Sequence, residues 1–126
     1  MTEELAASRI VVGADGSPES VKAVAWAAEQ ARVSGANIEL VTAWSYPSSY
    51  GIPLVVEGFD PEKDARDTSA KAMASLELPA DRVHSIVVYD SAAAALVQRS
   101  EGAAMLVVGS RGHGGFEDLL LGSVST

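Results

Sequence analysis

Residues 9–20 read RIVVGADGSPES. The first six, Arg9 to Ala14, form a short apolar run behind an arginine, which predicts a buried strand. Asp15-Gly16-Ser17-Pro18-Glu19 then forms a turn into a helix. Ser17 carries the side chain an N-cap needs, and Pro18 has the fixed φ that suits the first helical position. Val21, Val24, Ala25 and Ala28 recur at helical spacing beyond it, and Gly35 predicts the stop.

The alternation continues outward from this unit. Ile38–Trp44 (IELVTAW) predicts a second strand. Residues 45–59, SYPSSYGIPLVVEGF, predict a long loop too rich in Pro and Gly for regular structure, and its length hints at binding. Asp60-Pro61 restarts a helix that runs to about Leu76, and Val83–Tyr89 (VHSIVVY) predicts the third strand. Asp90 or Ser91 caps a helix that Gly102 ends, and Met105–Val108 (MLVV) is the fourth strand. The pattern β-α-β-α-β-α-β-α implies a single α/β domain spanning residues 1–126. Its core is an open parallel sheet with helices on both faces and right-handed crossovers. The final GSVST reads as a helix N-terminus with nothing after it, so a last helix and a fifth strand are expected to be absent from this chain.

Composition bounds the function. The chain has 126 residues, 48% of them apolar, enough for one real core. A formal charge of −8 argues against binding a nucleic-acid polymer, which needs clustered Lys and Arg. It leaves a small phosphate ligand open, because backbone N–H groups hold phosphate whatever the net charge. With no cysteine there is neither a disulfide scaffold nor a thiolate site. The start, MTEELAAS, lacks the features of a signal peptide, and no apolar segment approaches a membrane span. A cytoplasmic protein is expected.

Ligands of open α/β sheets sit beyond the carboxyl ends of strands, where strand order reverses. Two glycine segments occupy such ends: Gly13-Ala14-Asp15-Gly16-Ser17 after strand 1 and Gly109-Ser110-Arg111-Gly112 after strand 4. They can share a ligand only if strands 1 and 4 are neighbours. This favours a sheet order of 3-2-1-4 over the flavodoxin-like order. Glycine lets backbone approach a ligand closely, and successive N–H groups in a turn form an anion nest. Gly122-Ser123-Val124-Ser125 adds a second donor cluster with hydroxyls beside it. Two such clusters can clamp a polyphosphate, and Asp15 can accept hydrogen bonds from sugar hydroxyls. The plainer reading makes Asp15 and the glycines ordinary turn residues.

Other chemistries find no support in the sequence. There is no G-x-x-x-x-G-K-[ST], no G-x-G-x-x-G after strand 1, no G-x-S-x-G and no H-E-x-x-H. His84 reads as a structural or surface residue, and His113 as an exposed one in the glycine loop. Asp60, Glu62, Asp64 and Asp67 read as a solvated helix face, so no metal site is assigned. No catalytic residue is assigned, because no base is paired with a nucleophile. Trp44, Tyr46 and Tyr50 either wall a ligand or cover the sheet edge.

From RIVVGADGSPES to LLLGSVST, these residues resemble a universal stress protein. The most specific feature is a glycine, two residues, a glycine, nine residues, then glycine and serine: Gly109, Gly112, Gly122 and Ser123. In that family this spacing marks the ATP-binding branch. The resemblance implies a Rossmann-like fold of the adenine nucleotide alpha hydrolase type, with five strands ordered 3-2-1-4-5, the fifth usually forming a homodimer contact. It implies that Asp15 contacts the ribose, that Gly13 and Ala14 line the pocket, and that Thr42 or Ala43 borders adenine. Val108 would flank the nucleoside. Gly109, Ser110, Arg111 and Gly112 would meet ribose and phosphates, and Gly122, Ser123, Val124 and Ser125 would hold the phosphate tail. The implied ligand is ATP, with Mg²⁺ often accompanying it. The implied role is a stress-response switch or sensor with slow hydrolysis at most, read by a downstream protein. Binding of cyclic AMP or AMP, a phosphotransferase or nucleotide hydrolase activity, and a nucleotide-free dimeric interaction module are the alternatives.

Overall fold

A computed structural model of the chain describes residues 8–46, 48–49, 52–53, 57–58 and 60–109. β1 (Arg9–Gly13) leads through the Asp15 turn into α1 (Pro18–Ser34), and β2 (Asn37–Trp44) follows. α2 (Pro61–Leu76), a 3₁₀ turn at Ala80–Arg82, β3 (Val83–Tyr89), α3 (Ala92–Arg99) and β4 (Met105–Val107) complete the order. The sheet order is β3-β2-β1-β4 with every pairing parallel, the expected 3-2-1-4.

The side-chain period of a strand divides the core in two. Ile10 and Val12 of β1, with Ile38 and Leu40 of β2, face α1 and α2. Val11, Val41 of β2, Ile86 of β3 and Leu106 of β4 face Ala95 and Leu96 of α3. The two central strands, β1 and β2, are mostly apolar because both faces are covered, with Glu39 and Thr42 as buried polar exceptions on β2. The residues α1 presents to the sheet are Ser20, Ala23, Val24, Ala27, Ala28 and Ala31, five of the six no larger than alanine or serine. Of the four residues the helical spacing picked out, Val24 and Ala28 lie on that face, while Val21, 59% exposed, and Ala25 lie off it, because the stripe is turned toward Ala23 and Ala27.

The capping residues act as read. Ser17 Oγ accepts the Ser20 N–H at 3.1 Å and starts α1. Gly35, at φ 81°, closes α1 with its N–H on Ala31 O at 2.9 Å. Asp60 caps α2 through Lys63 N–H, and Ser91, rather than Asp90, caps α3 through Ala94 N–H. α3 ends at Arg99 with Ser100 as its C-cap, not at Gly102, which lies in the turn beyond. β1 ends one residue before Ala14, and β4 one residue before Val108. Within the long loop, Ser48–Ser49 pairs antiparallel with Ile52–Pro53, a short ladder that the Pro and Gly content argued against. Two residues per side are enough for local pairing, and Pro53 can still accept through its carbonyl.

Candidate functional site

β1 and β4 lie side by side, with Val12 level with Val107. Continued one step, that register sets Gly13 beside Val108, and a second step sets Ala14 beside Gly109. A cleft with a cavity volume of about 40 Å³, its mouth open to solvent, occupies this junction. By itself that is well below the roughly 300–1,000 Å³ of small-molecule sites. Gly13, Ala14 and Asp15 form one wall, and Val108 and Gly109 another. Val41 and Ala43 of β2, with Ala92 and Leu96 of α3, give it an apolar lining, and Ser20 contributes a hydroxyl.

The Asp15 turn is held by its own hydrogen bonds. Ser17 N–H donates to Asp15 Oδ1 at 2.9 Å, a side-chain turn that Gly16 makes possible with φ 84°. Asp15 N–H donates to Ser20 Oγ at 3.3 Å, and Ser20 Oγ donates to Ser17 O at 3.1 Å. Ala14 N–H donates to Val41 O at 3.0 Å. The amides of Ala14, Asp15 and Ser17 are therefore spent on fixing the loop, and the donors of the expected nest after strand 1 are largely committed. A carboxylate offers about four acceptor positions, and Ser17 N–H occupies one of those of Asp15.

Two glycines are close-contact positions. A Cβ on Gly109 would lie 2.8 Å from Glu19 C and 2.9 Å from Glu19 O, so backbone of β4's exit rests on backbone of α1's first turn. A Cβ on Gly13 would lie 2.8 Å from Leu96 Cδ1, a contact that a side-chain rotation can relieve. Gly109 thus has a packing reason to be glycine, independent of any ligand.

Gly13, Ala14, Asp15, Ala43, Val108 and Gly109 all line this one cleft. Thr42 alternates to the opposite face of β2; it is 3% exposed, and its Oγ1 has no hydrogen-bond partner. Ser110, Arg111, Gly112, Gly122, Ser123, Val124 and Ser125 lie outside the described residues, as do His113 and Tyr50. Val41, Ser20, Ala92 and Leu96 were not anticipated. The period of two from Ala43 pointed to Val41, whereas α3 residues become visible only once the crossover is built.

Trp44 packs on Tyr89 with ring centroids 4.7 Å apart and meets Tyr46 edge-on at 5.8 Å. The cluster covers the ends of β2 and β3 at the sheet edge, away from the cleft lining. His84 is exposed on β3. Glu62 pairs with Arg66 and Lys63 with Asp67, so these acids support the solvent face of α2. Among the described residues no group of three or more His, Asp or Glu gathers as a metal site, and no helix is long and apolar enough to cross a membrane. Among the described residues, Asp15 is the one carboxylate lining the cleft.

The universal stress protein family profile matches residues 7–126. The chain belongs to the universal stress protein family. It is 38% identical over 121 residues to universal stress protein Rv2005c of Mycobacterium tuberculosis, covering 92% of this chain and 40% of that protein. It is 38% identical over 122 residues to Rv2623 of the same organism, covering 91% of this chain and 39% of the relative. This universal stress protein chain therefore spans about two-fifths of the length of the curated relatives it matches. Among solved structures, a family member from Burkholderia pseudomallei superimposes with a TM-score of 0.60 at 22% identity, covering 81% of this chain and 80% of that one, and supports the fold. A universal stress protein in complex with cAMP aligns with a TM-score of 0.54 at 25% identity, covering 80% of this chain and 70% of that chain.

Proposed function

We propose that this universal stress protein domain binds ATP in the β1–β4 cleft and acts as a nucleotide-dependent stress-response switch. The observation that carries the reading is the junction itself. Asp15 and Gly109 face one cleft, and Gly109 opens the Gly109, Gly112, Gly122, Ser123 spacing of the family's ATP-binding branch. Val41, Ala43, Ala92, Leu96 and Val108 offer apolar surface that suits a purine ring. In this reading Asp15 accepts from ribose hydroxyls, and the segment from Ser110 onward supplies the phosphate donors. Mg²⁺, where present, rides on phosphate oxygens and water, because the described lining of the cleft offers it a single carboxylate. Binding changes a surface that a downstream protein reads. A homodimer belongs to the same proposal.

Titration calorimetry of the chain with ATP, ADP, AMP and cyclic AMP tests it. Tightest binding of ATP is expected, and a clear preference for another ligand overturns the assignment. Cyclic AMP is the second reading, favoured by the neighbour solved with cAMP. ATP turnover is expected well below about 1 s⁻¹, the low end of ordinary enzymes, because no described residue pairs a base with a nucleophile at the cleft. Steady turnover at or above that rate contradicts the switch reading.

A further inference from the structure

We infer that Ser20 is the positioning residue for sugar recognition: its buried hydroxyl fixes the loop that aims the Asp15 carboxylate into the cleft. The inference rests on the nucleotide reading above and adds a residue that the family spacing does not contain. Ser20 is 4% exposed, in the first turn of α1. Its hydroxyl does two jobs at once, accepting from Asp15 N–H at 3.3 Å and donating to Ser17 O at 3.1 Å. Ser17 N–H in turn holds Asp15 Oδ1 at 2.9 Å. Asp15 is thus tied at its backbone by Ser20 directly, and at its carboxylate by Ser17, whose peptide Ser20 also holds.

Ser20 also lies on the wall between two clefts. It lines the β1–β4 cleft and a groove of about 410 Å³ between α1 and α2, where Gly16, Thr68 and Lys71 also sit. A cavity behind the loop gives it room to move if the hydroxyl is lost. The cap of α1 does not depend on that hydroxyl, because the bond from Ser20 N–H to Ser17 Oγ uses the backbone. Removing the hydroxyl therefore leaves the helix start intact and takes away the tie on the Asp15 backbone that positions the turn. A site built to bind a hydroxyl discriminates strongly against ligands that lack it, but only while its acceptor is held in place.

The test measures dissociation constants of the full chain for ATP, 2′-deoxy-ATP and 3′-deoxy-ATP. The unaltered protein is expected to reject at least one deoxy analogue. Ser20→Ala should weaken ATP about tenfold and that analogue far less, so the ribose preference collapses as it does in Asp15→Ala. Ser20→Thr, which keeps the hydroxyl, should restore most of the preference. Equal weakening of all three ligands by Ser20→Ala makes Ser20 merely structural and overturns the inference, and so does an unchanged preference. If the unaltered chain binds no ATP, the nucleotide reading itself falls and takes this one with it. Amide exchange on the unaltered chain gives a readout that needs no variant. Bound ATP should slow exchange at Asp15 and Ser17 about tenfold, and exchange indifferent to ATP also overturns the inference.

Discussion

At the scale of single residues, Gly109 separates two explanations that sequence cannot tell apart. A glycine after a strand reads equally well as room for a ligand or room for the protein. Here the space beside Gly109 is filled by the Glu19 backbone, 2.8 Å from where a Cβ would stand. Backbone cannot rotate aside as a leucine side chain can, so Gly109→Ala must push β4's exit off α1. We expect a loss of about 1–3 kcal/mol in urea unfolding of the ligand-free chain. Unchanged ligand-free stability alongside weaker ATP binding would return Gly109 to a purely ligand-facing role. Asp15 shows the same duality. Its turn-stabilising reading is realised by the Ser17 N–H bond, yet the residue still lines the cleft.

At the scale of elements, the three α-helices share a way of ending. Arg82 donates to Ala31 O at 2.7 Å and to Ala36 O at the end of α1. Arg32 donates to Leu76 O at 3.1 Å at the end of α2. Arg9 donates to Arg99 O at 2.9 Å and Glu101 O at 2.7 Å at the end of α3, while its Nε pairs with the buried Glu39 at 2.8 Å. Each guanidinium meets carbonyls at or just beyond a helix C-terminus, at the negative end of the helix dipole, in a chain with only nine Lys and Arg. None of this was legible in the sequence, because each carbonyl partner lies between 44 and 92 positions away. Arg82→Ala should cost about 1.5–3 kcal/mol in chemical denaturation, since two carbonyls lose a charged donor. Arg82→Lys should recover part of that loss, because a single ammonium cannot reproduce the planar fork. α2 also ends on Glu77 at φ 56°, a left-handed conformation unfavourable for a residue with a Cβ. Glu77→Gly should therefore stabilise the chain by about 1 kcal/mol, and a lower denaturation midpoint would show that the Glu77 side chain contributes more than its backbone conformation costs.

At the scale of the whole molecule, the alternation of apolar runs and capped helices carried the α/β class, and every strand of the four-stranded sheet appeared within a residue or so of its expected bounds. The sheet order was legible through function as well as pattern, since two glycine segments can share a ligand only if β1 and β4 adjoin, as they do. Less legible were the walls supplied by the crossover, Ala92 and Leu96 of α3. Helical periodicity shows which residues of a helix are buried, but not which strand ends they overhang. The same geometry makes the ligand reading testable on the intact fold. A ligand seated between β1, β2, β4 and α3 bridges elements from both ends of the described chain, so it should stabilise the cooperative unit as a whole rather than one loop. At about a hundredfold its Kd, ATP should add about 2.7 kcal/mol. For a chain of this length that is a rise in Tm on the order of 10 °C. Single-stranded DNA at the same nucleotide concentration should give no rise, because a formal charge of −8 opposes a polyanion that lies along the surface. A comparable rise with DNA would place the binding energy in general phosphate attraction rather than in the cleft. A rise with cyclic AMP alone would exclude the polyphosphate clamp and leave the apolar walls and Asp15 as the recognising surface.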